Sequence, residues 1–193
     1  MKNLAKFLNL LLIVVLSVSV LSCDDNDEME VLQVDQTNTI ADFVVDNSNN
    51  YSSLLAALTK ANLVETLSGD GPFTVFAPDN DAFSAFLTAN GFANLDAVPV
   101  DALTQILLNH VVSGAVKSTD LTTGYIKTLS TATPNNAHIS MFVNTNDGVK
   151  LNGISEVTAA DNMVDNGVVH LVNEVIGLPT VVTFATADPT FST

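Results

Sequence analysis

The chain has 193 residues, the length of one ordinary domain with enough material to bury a core. Its formal charge is −15, from 21 acidic residues against six lysines and no arginine. Phosphate recognition needs clustered cations, so nucleic acid is excluded as a partner class, and a bare anionic membrane surface would repel the chain.

Lys2 and Lys6 precede an almost wholly apolar run, Phe7 to Val20. This is the layout of a secretory signal peptide, and the run is shorter than the roughly 20 residues of a spanning helix. It ends at Val20-Leu21-Ser22-Cys23, which resembles the lipobox of bacterial lipoproteins. The resemblance implies a lipoprotein signal peptide over residues 1–22 and acylation of Cys23, the new N-terminus. Ordinary secretory cleavage leaving a free thiol is the alternative. Each buried acyl methylene would contribute about 0.8 kcal/mol to membrane anchoring. Cys23 is the only cysteine, so no intrachain disulfide forms and packing must stabilise the core. Loss of the leader leaves Lys60, Lys117, Lys127 and Lys150 against all 21 acidic residues. Asp24-Asp25-Asn26-Asp27-Glu28 opens an acidic linker over 23–38, a solvated tether. In some Gram-negative lipoproteins acidic residues there route the protein to the outer face of the outer membrane; in other bacteria an aspartate there retains it at the inner membrane. The expected location is exported, lipid-anchored to the outer membrane and surface-exposed.

The domain is expected to begin near Thr39. Ile40, Phe43 and Val44 follow helical spacing, and Asn47-Ser48-Asn49-Asn50 breaks that helix and offers caps for the next. Tyr51, Leu54, Leu55 and Leu58 mark one face of a second helix. Gly69-Asp70-Gly71-Pro72 predicts a turn, and Phe73 to Phe76 a buried strand closed by Pro78. Asp79 or Asn80 caps the next helix, whose Phe83, Phe86 and Leu87 point inward. After Asn90-Gly91, Val98-Pro99-Val100-Asp101 leads into a helix with Leu103, Ile106, Leu107 and His110 on one face. Val111-Val112 is extended. Beyond Tyr125 short apolar runs predict strands at Ile126 to Leu129, Ile139 to Val143, Val149 to Leu151, Ile154 to Val157 and Val168 to Val172, with a hairpin turn at Asn146-Asp147-Gly148. Helices first and strands later predict an α+β fold, the strand at Phe73 joining the later sheet.

The tail, residues 180–193, echoes the start of the domain. Val182-Thr183-Phe184-Ala185 onward parallels Ala41-Asp42-Phe43-Val44, just after Gly177-Leu178-Pro179. The expectation is the start of a second repeat of a tandem-domain protein, with a short disordered tail as the alternative.

Two stretches carry a family resemblance. Phe73-Thr74-Val75-Phe76-Ala77-Pro78-Asp79-Asn80-Asp81-Ala82-Phe83 and Asn166-Gly167-Val168-Val169-His170-Leu171-Val172-Asn173-Glu174-Val175-Ile176 resemble, in this order, the two signature blocks of the fasciclin (FAS1) domain. The resemblance covers residues 39–179. Val149-Lys150-Leu151-Asn152-Gly153 and Asp161 fit the segments ahead of the second block. Leu107 to Val112 is similar to the segment carrying the family's Tyr-His pair, with Asn109 in place of the tyrosine. That segment is implicated in integrin binding in some animal members, and the substitution argues against integrin-type adhesion here. The resemblance implies a fasciclin-like β-wedge packed with several helices, no cofactor, and a role in adhesion or matrix binding. It singles out Phe76, Pro78, Asp79, Asn80, Phe83, Asn109, His110, Asn166, Gly167 and His170 as structural or binding positions.

Function follows as an expectation: a lipid-anchored binding module for cell-surface, biofilm or matrix/glycan contacts, or a spacer domain of a tandem-repeat lipoprotein. The partner would be an extracellular protein or glycan. A hydrolase would need His110 or His170 with Asp79, Asp81 or Asp161. The chain carries no G-x-S-x-G, H-E-x-x-H or phosphate-binding glycine loop, and its three histidines lack zinc spacing. His110 and His170 read as core histidines bonded to backbone or to a nearby Asn or Asp. His138 lies in a polar loop. Asp24 to Glu28 and Asn144 to Asp147 are oxygen-rich but do not match a calcium loop, so no metal is expected.

Overall fold

The chain divides into two units, Met1–Asp35 and Gln36–Thr193. The computed structural model describes residues 38–191, all within the second. The signal peptide, Cys23 and nearly all of the acidic linker lie outside the described residues.

Thr39 opens the first helix, α1 (Ile40–Asp46), through a capping box: its hydroxyl accepts from Asp42 N, and the Asp42 carboxylate accepts from Thr39 N. This pairs two of the free N–H groups of the first turn. Asn47 provides no side-chain cap for the following helix; its Nδ2 instead donates 2.8 Å back to Phe43 O, closing α1. The second helix, α2 (Ser48–Lys60), is kinked at Tyr51, where φ is −124°. A third short helix, α3 (Val64–Ser68), has no sequence signal, because five residues are too few to display a period. Strand β1 (Phe73–Pro78), helix α4 (Asn80–Ala89), helix α5 (Val100–Leu108) and strand β2 (Val111–Ser113) follow where expected. Asp79 caps α4 by accepting from Ala82 N at 2.8 Å.

The remaining strands are β3 (Gly124–Lys127), β4 (Ser140–Asn144), β5 (Lys150–Leu151), β6 (Ser155–Val164) and β7 (Gly167–Val172), followed by helix α6 (Val181–Ala187). Strand β6 corrects the expected run Ile154 to Val157. It is ten residues long and continues through the polar stretch Thr158–Asn162. Its outer face is exposed, so apolar alternation does not mark it, and register shifts at Ala159 further hide the period.

One seven-stranded sheet has the order β2-β1-β7-β6-β5-β4-β3. Only the β1–β7 pair is parallel, with Phe73 opposite Gly167 and Pro78 opposite Val172. Just past β3, Leu129 N donates 2.8 Å to Val111 O of β2, so the two ends of the sheet meet and the sheet bends into a wedge. Alternation along β1 then feeds two cores. Val75 and Ala77 join α1, α2, α4 and α5, whereas Phe76 joins Met141, Val143, Leu151, Val172 and Ile176 inside the wedge. Burial on both faces explains why Val75, Phe76 and Ala77 are apolar in succession, while the buried Thr74 hydroxyl is satisfied by Gly114 O. Each fully buried Leu, Val or Phe contributes about 1.5–3 kcal/mol.

Candidate functional site

The ten residues singled out from the sequence fall in three places. The first is the N-terminus of α4. Asp79 caps it; Asn80 binds α2, its Oδ1 accepting from Ser53 N (2.9 Å) and Ser52 Oγ (3.1 Å) and its Nδ2 donating to Asn49 O (3.1 Å). Phe83 is 2 % exposed in the helical core, and Pro78 ends β1.

The second place is the turn before β7. Asn166 is buried and its amide joins three elements: Oδ1 accepts from Ile40 N (2.9 Å), and Nδ2 donates to Leu67 O (2.8 Å) and Gly69 O (2.9 Å). Gly167 follows because a Cβ there would overlap the Phe73 carbonyl. The register puts this turn at the start of the β1–β7 pair and Asp79 just past its end, six residues beyond Phe73 or roughly 20 Å away by strand rise.

The third place is the strand trio around Phe76, whose backbone N donates to His110 O on one side and which lies opposite His170 on the other. His170 stacks on Phe76 with ring centroids 5.5 Å apart. Its Nδ1 accepts from Asp161 N (3.1 Å) and its Nε2 lies 2.9 Å from Val116 O, which assigns the proton to Nε2. His110 is 2 % exposed; its Nδ1 donates to Ile106 O (2.8 Å) and its Nε2 accepts from Ile176 N (2.8 Å). Burial pushes its pKa down to about 4, against the opposing pull of the Ile106 carbonyl. The His110 ring is therefore neutral, and in both histidines the two ring nitrogens are engaged by backbone. Asn109 adds to this joint. Its Nδ2 donates to Ile176 O (3.3 Å) and Gly177 O (3.1 Å), and Oδ1 accepts from Thr128 Oγ1 (3.2 Å).

Asp161, at a φ of 62°, accepts from Ser118 N (2.7 Å) and Ser118 Oγ (2.5 Å). These bonds hold its carboxyl below the usual range. Ser118, Asp161 and His170 are thus neighbours, yet Asp161 meets His170 through its backbone, not its carboxylate. His138 is exposed. Among the described residues no group of three His, Cys, Asp or Glu side chains could hold a metal ion.

Sequence reasoning missed several anchors. Lys60 Nζ donates to Leu95 O, Asp96 O and Val98 O, each within 2.9 Å, and pins the loop before α5. Gln105 Oε1 accepts from Ser130 Oγ and Thr131 N. A lysine or glutamine at a helix edge carries no local sign of such long-range partners.

These features define an α+β domain whose polar signature residues clamp its own backbone. Over residues 49–179 the chain matches the family described as Fasciclin domain, and it belongs to that family. It is similar to protein sll1483 of Synechocystis, with 37 % identity over 143 residues, 74 % of each chain. It is also similar to pig transforming growth factor-beta-induced protein ig-h3, with 35 % identity over 141 residues, covering 70 % of this chain and 19 % of that protein. Its fold matches that of a FAS1 domain pair from the insect cell adhesion molecule fasciclin I, with a TM-score of 0.55 and 20 % identity. That match covers 76 % of this chain and 52 % of the pair, so the chain spans about half of that structure. Domains of this family occur in cell adhesion proteins, that insect molecule among them.

Proposed function

We propose that the protein is an exported, lipid-anchored fasciclin-type module that binds an extracellular protein or glycan at the cell surface. The observation that carries the binding reading is the engagement of Asp79, Asn80, Asn109, His110, Asn166 and His170 in internal hydrogen bonds, which leaves ligand contact to the outer surface. The leader with Lys2 and Lys6, and Cys23 ahead of an acidic tether, support the anchored location. Protease treatment of intact cells expressing the wild type or Cys23→Ser tests it. The wild type is expected to be membrane-bound and shaved, and the variant released. A membrane-bound but protected wild type would sink surface display. Adhesion of beads coated with the full chain to cells, polysaccharide and matrix protein tests the binding itself.

A spacer in a tandem-repeat lipoprotein is the second reading, favoured by one observation. Helix α6 repeats the capping box of α1, with Thr180 and Thr183 in place of Thr39 and Asp42, and Phe184 in place of Phe43. Val181 and Val182 are 85 % and 69 % exposed, whereas their counterparts Ile40 and Ala41 are buried. A spacer would give no adhesion in the bead assay.

A further inference from the structure

Between α4, α5 and the segment after β7 runs an open groove of about 690 Å³. Phe86 and Ile106 contribute partly buried apolar surface from the two helices and Phe92 from the loop between them, and Leu178 closes the other side. That other side is held by the joint described above: Asn109 and His110 bond Ile176 and Gly177 to the end of α5. Glu174 is the one charged residue lining the groove, and its carboxylate is exposed with no partner among the described residues. No lysine lines the groove.

We propose that this groove, on the reading of the protein as a binding module, docks an amphipathic segment of a partner protein that carries an apolar stripe flanked by Lys or Arg. The apolar floor takes the stripe, and Glu174 pairs with a flanking cation. Charge selects this occupant over the alternatives. A second copy brings another −15, and the chain's own linker begins with four acidic residues among five. Asn109 and His110 act as positioning residues that set the groove wall, without touching the partner.

The test uses the full, isotope-labelled chain and a 14-residue amphipathic Leu/Lys peptide. Controls are the same peptide with Glu for Lys, and a lysine-only oligomer. Amide shifts are expected to cluster over 85–92, 102–106 and 174–178. Glu174→Gln should weaken the peptide several-fold. Ala89→Lys places a cation in the groove at the C-terminus of α4, where helix charge favours it. It should weaken binding roughly tenfold or more with an unchanged melting temperature. The proposal is overturned by equal binding of the Leu/Glu peptide or the lysine oligomer, by shifts elsewhere, or by wild-type affinity in Ala89→Lys. The same shifts appearing on concentration without peptide would assign the groove to a second copy and also overturn it. The bead assay separates the two readings. Adhesion that survives Ala89→Lys removes the groove from it while the module reading stands. Peptide binding by a chain that adheres to nothing leaves the groove standing and removes the module.

Discussion

Single side chains in this domain join elements far apart in the chain. Asn166 links α1, α3 and the turn at Gly69, so Asn166→Ala leaves one donor and two acceptors unpaired in a site of little exposure. A loss of about 2–4 kcal/mol is expected, read as a lower urea midpoint at unchanged slope. His110 makes stability depend on pH. Its folded-state pKa of about 4 lies below the ordinary value of 6.5, so between those values the unfolded chain binds the extra proton. This contribution is intact above pH 6.5 and is lost as pH falls towards 4, by up to about 3 kcal/mol. Urea titrations across that interval measure it. His110→Gln should be less stable at neutral pH and show a shallower slope across the same range. Asp42, Asp161 and Asp188 have lowered pKa values through their Thr39, Ser118 and Thr190 hydrogen bonds, so they extend acid destabilisation to still lower pH.

Helices α1 and α6 have the same cap and different surroundings. Thr39→Ala removes a cap from a helix whose Ile40, Ala41 and Val44 are buried, and about 1 kcal/mol of global stability should go with it. Thr180→Ala should leave the global midpoint unchanged, because α6 has no buried residue of its own. Hydrogen exchange at the α6 amides should nevertheless quicken. Tyr125 is the main anchor of this helix. Its ring meets Phe184 edge-on at 5.6 Å, and its hydroxyl donates 2.9 Å to Asp188 Oδ2. The strand pair β1–β7 is the opposite case. Gly167→Ala forces a Cβ into the Phe73 carbonyl, and an overpacking loss of about 3 kcal/mol is expected in the same urea experiment.

At the scale of the molecule, the charge of −15 has almost no internal compensation. The single ion pair among the described residues, Lys150–Asp147 at 3.4 Å, is exposed. Self-repulsion therefore opposes the folded state and is screened by salt. Raising NaCl from about 10 mM to about 500 mM should raise the melting temperature by roughly 2–4 °C in a scanning calorimeter. A melting temperature that falls with salt would overturn this account. The same acidity favours cationic partners for any outward-facing site, including the groove.

Period and punctuation made most elements legible. Phe73 to Phe76 read as a buried strand because β1 is covered on both faces, and Asp79 read as a cap because its side chain bonds three residues along the chain. The short apolar run of Ile139 to Val143 marked β4 in the same local way. Helix α3 and the polar half of β6 were illegible, the one too short and the other exposed on its outer face. Composition and local pattern thus determined the acidic character and the order of helices before strands, because charge, caps and periodicity act within a few residues. Only the tertiary structure decided that β1 lies parallel to β7, that Asn166 clamps three elements of backbone, which backbone groups His110 joins, and that α4, α5 and residues 174–178 enclose a groove. Those outcomes depend on groups 66 to 126 positions apart, brought together by burial of two cores, and no local signal encodes them.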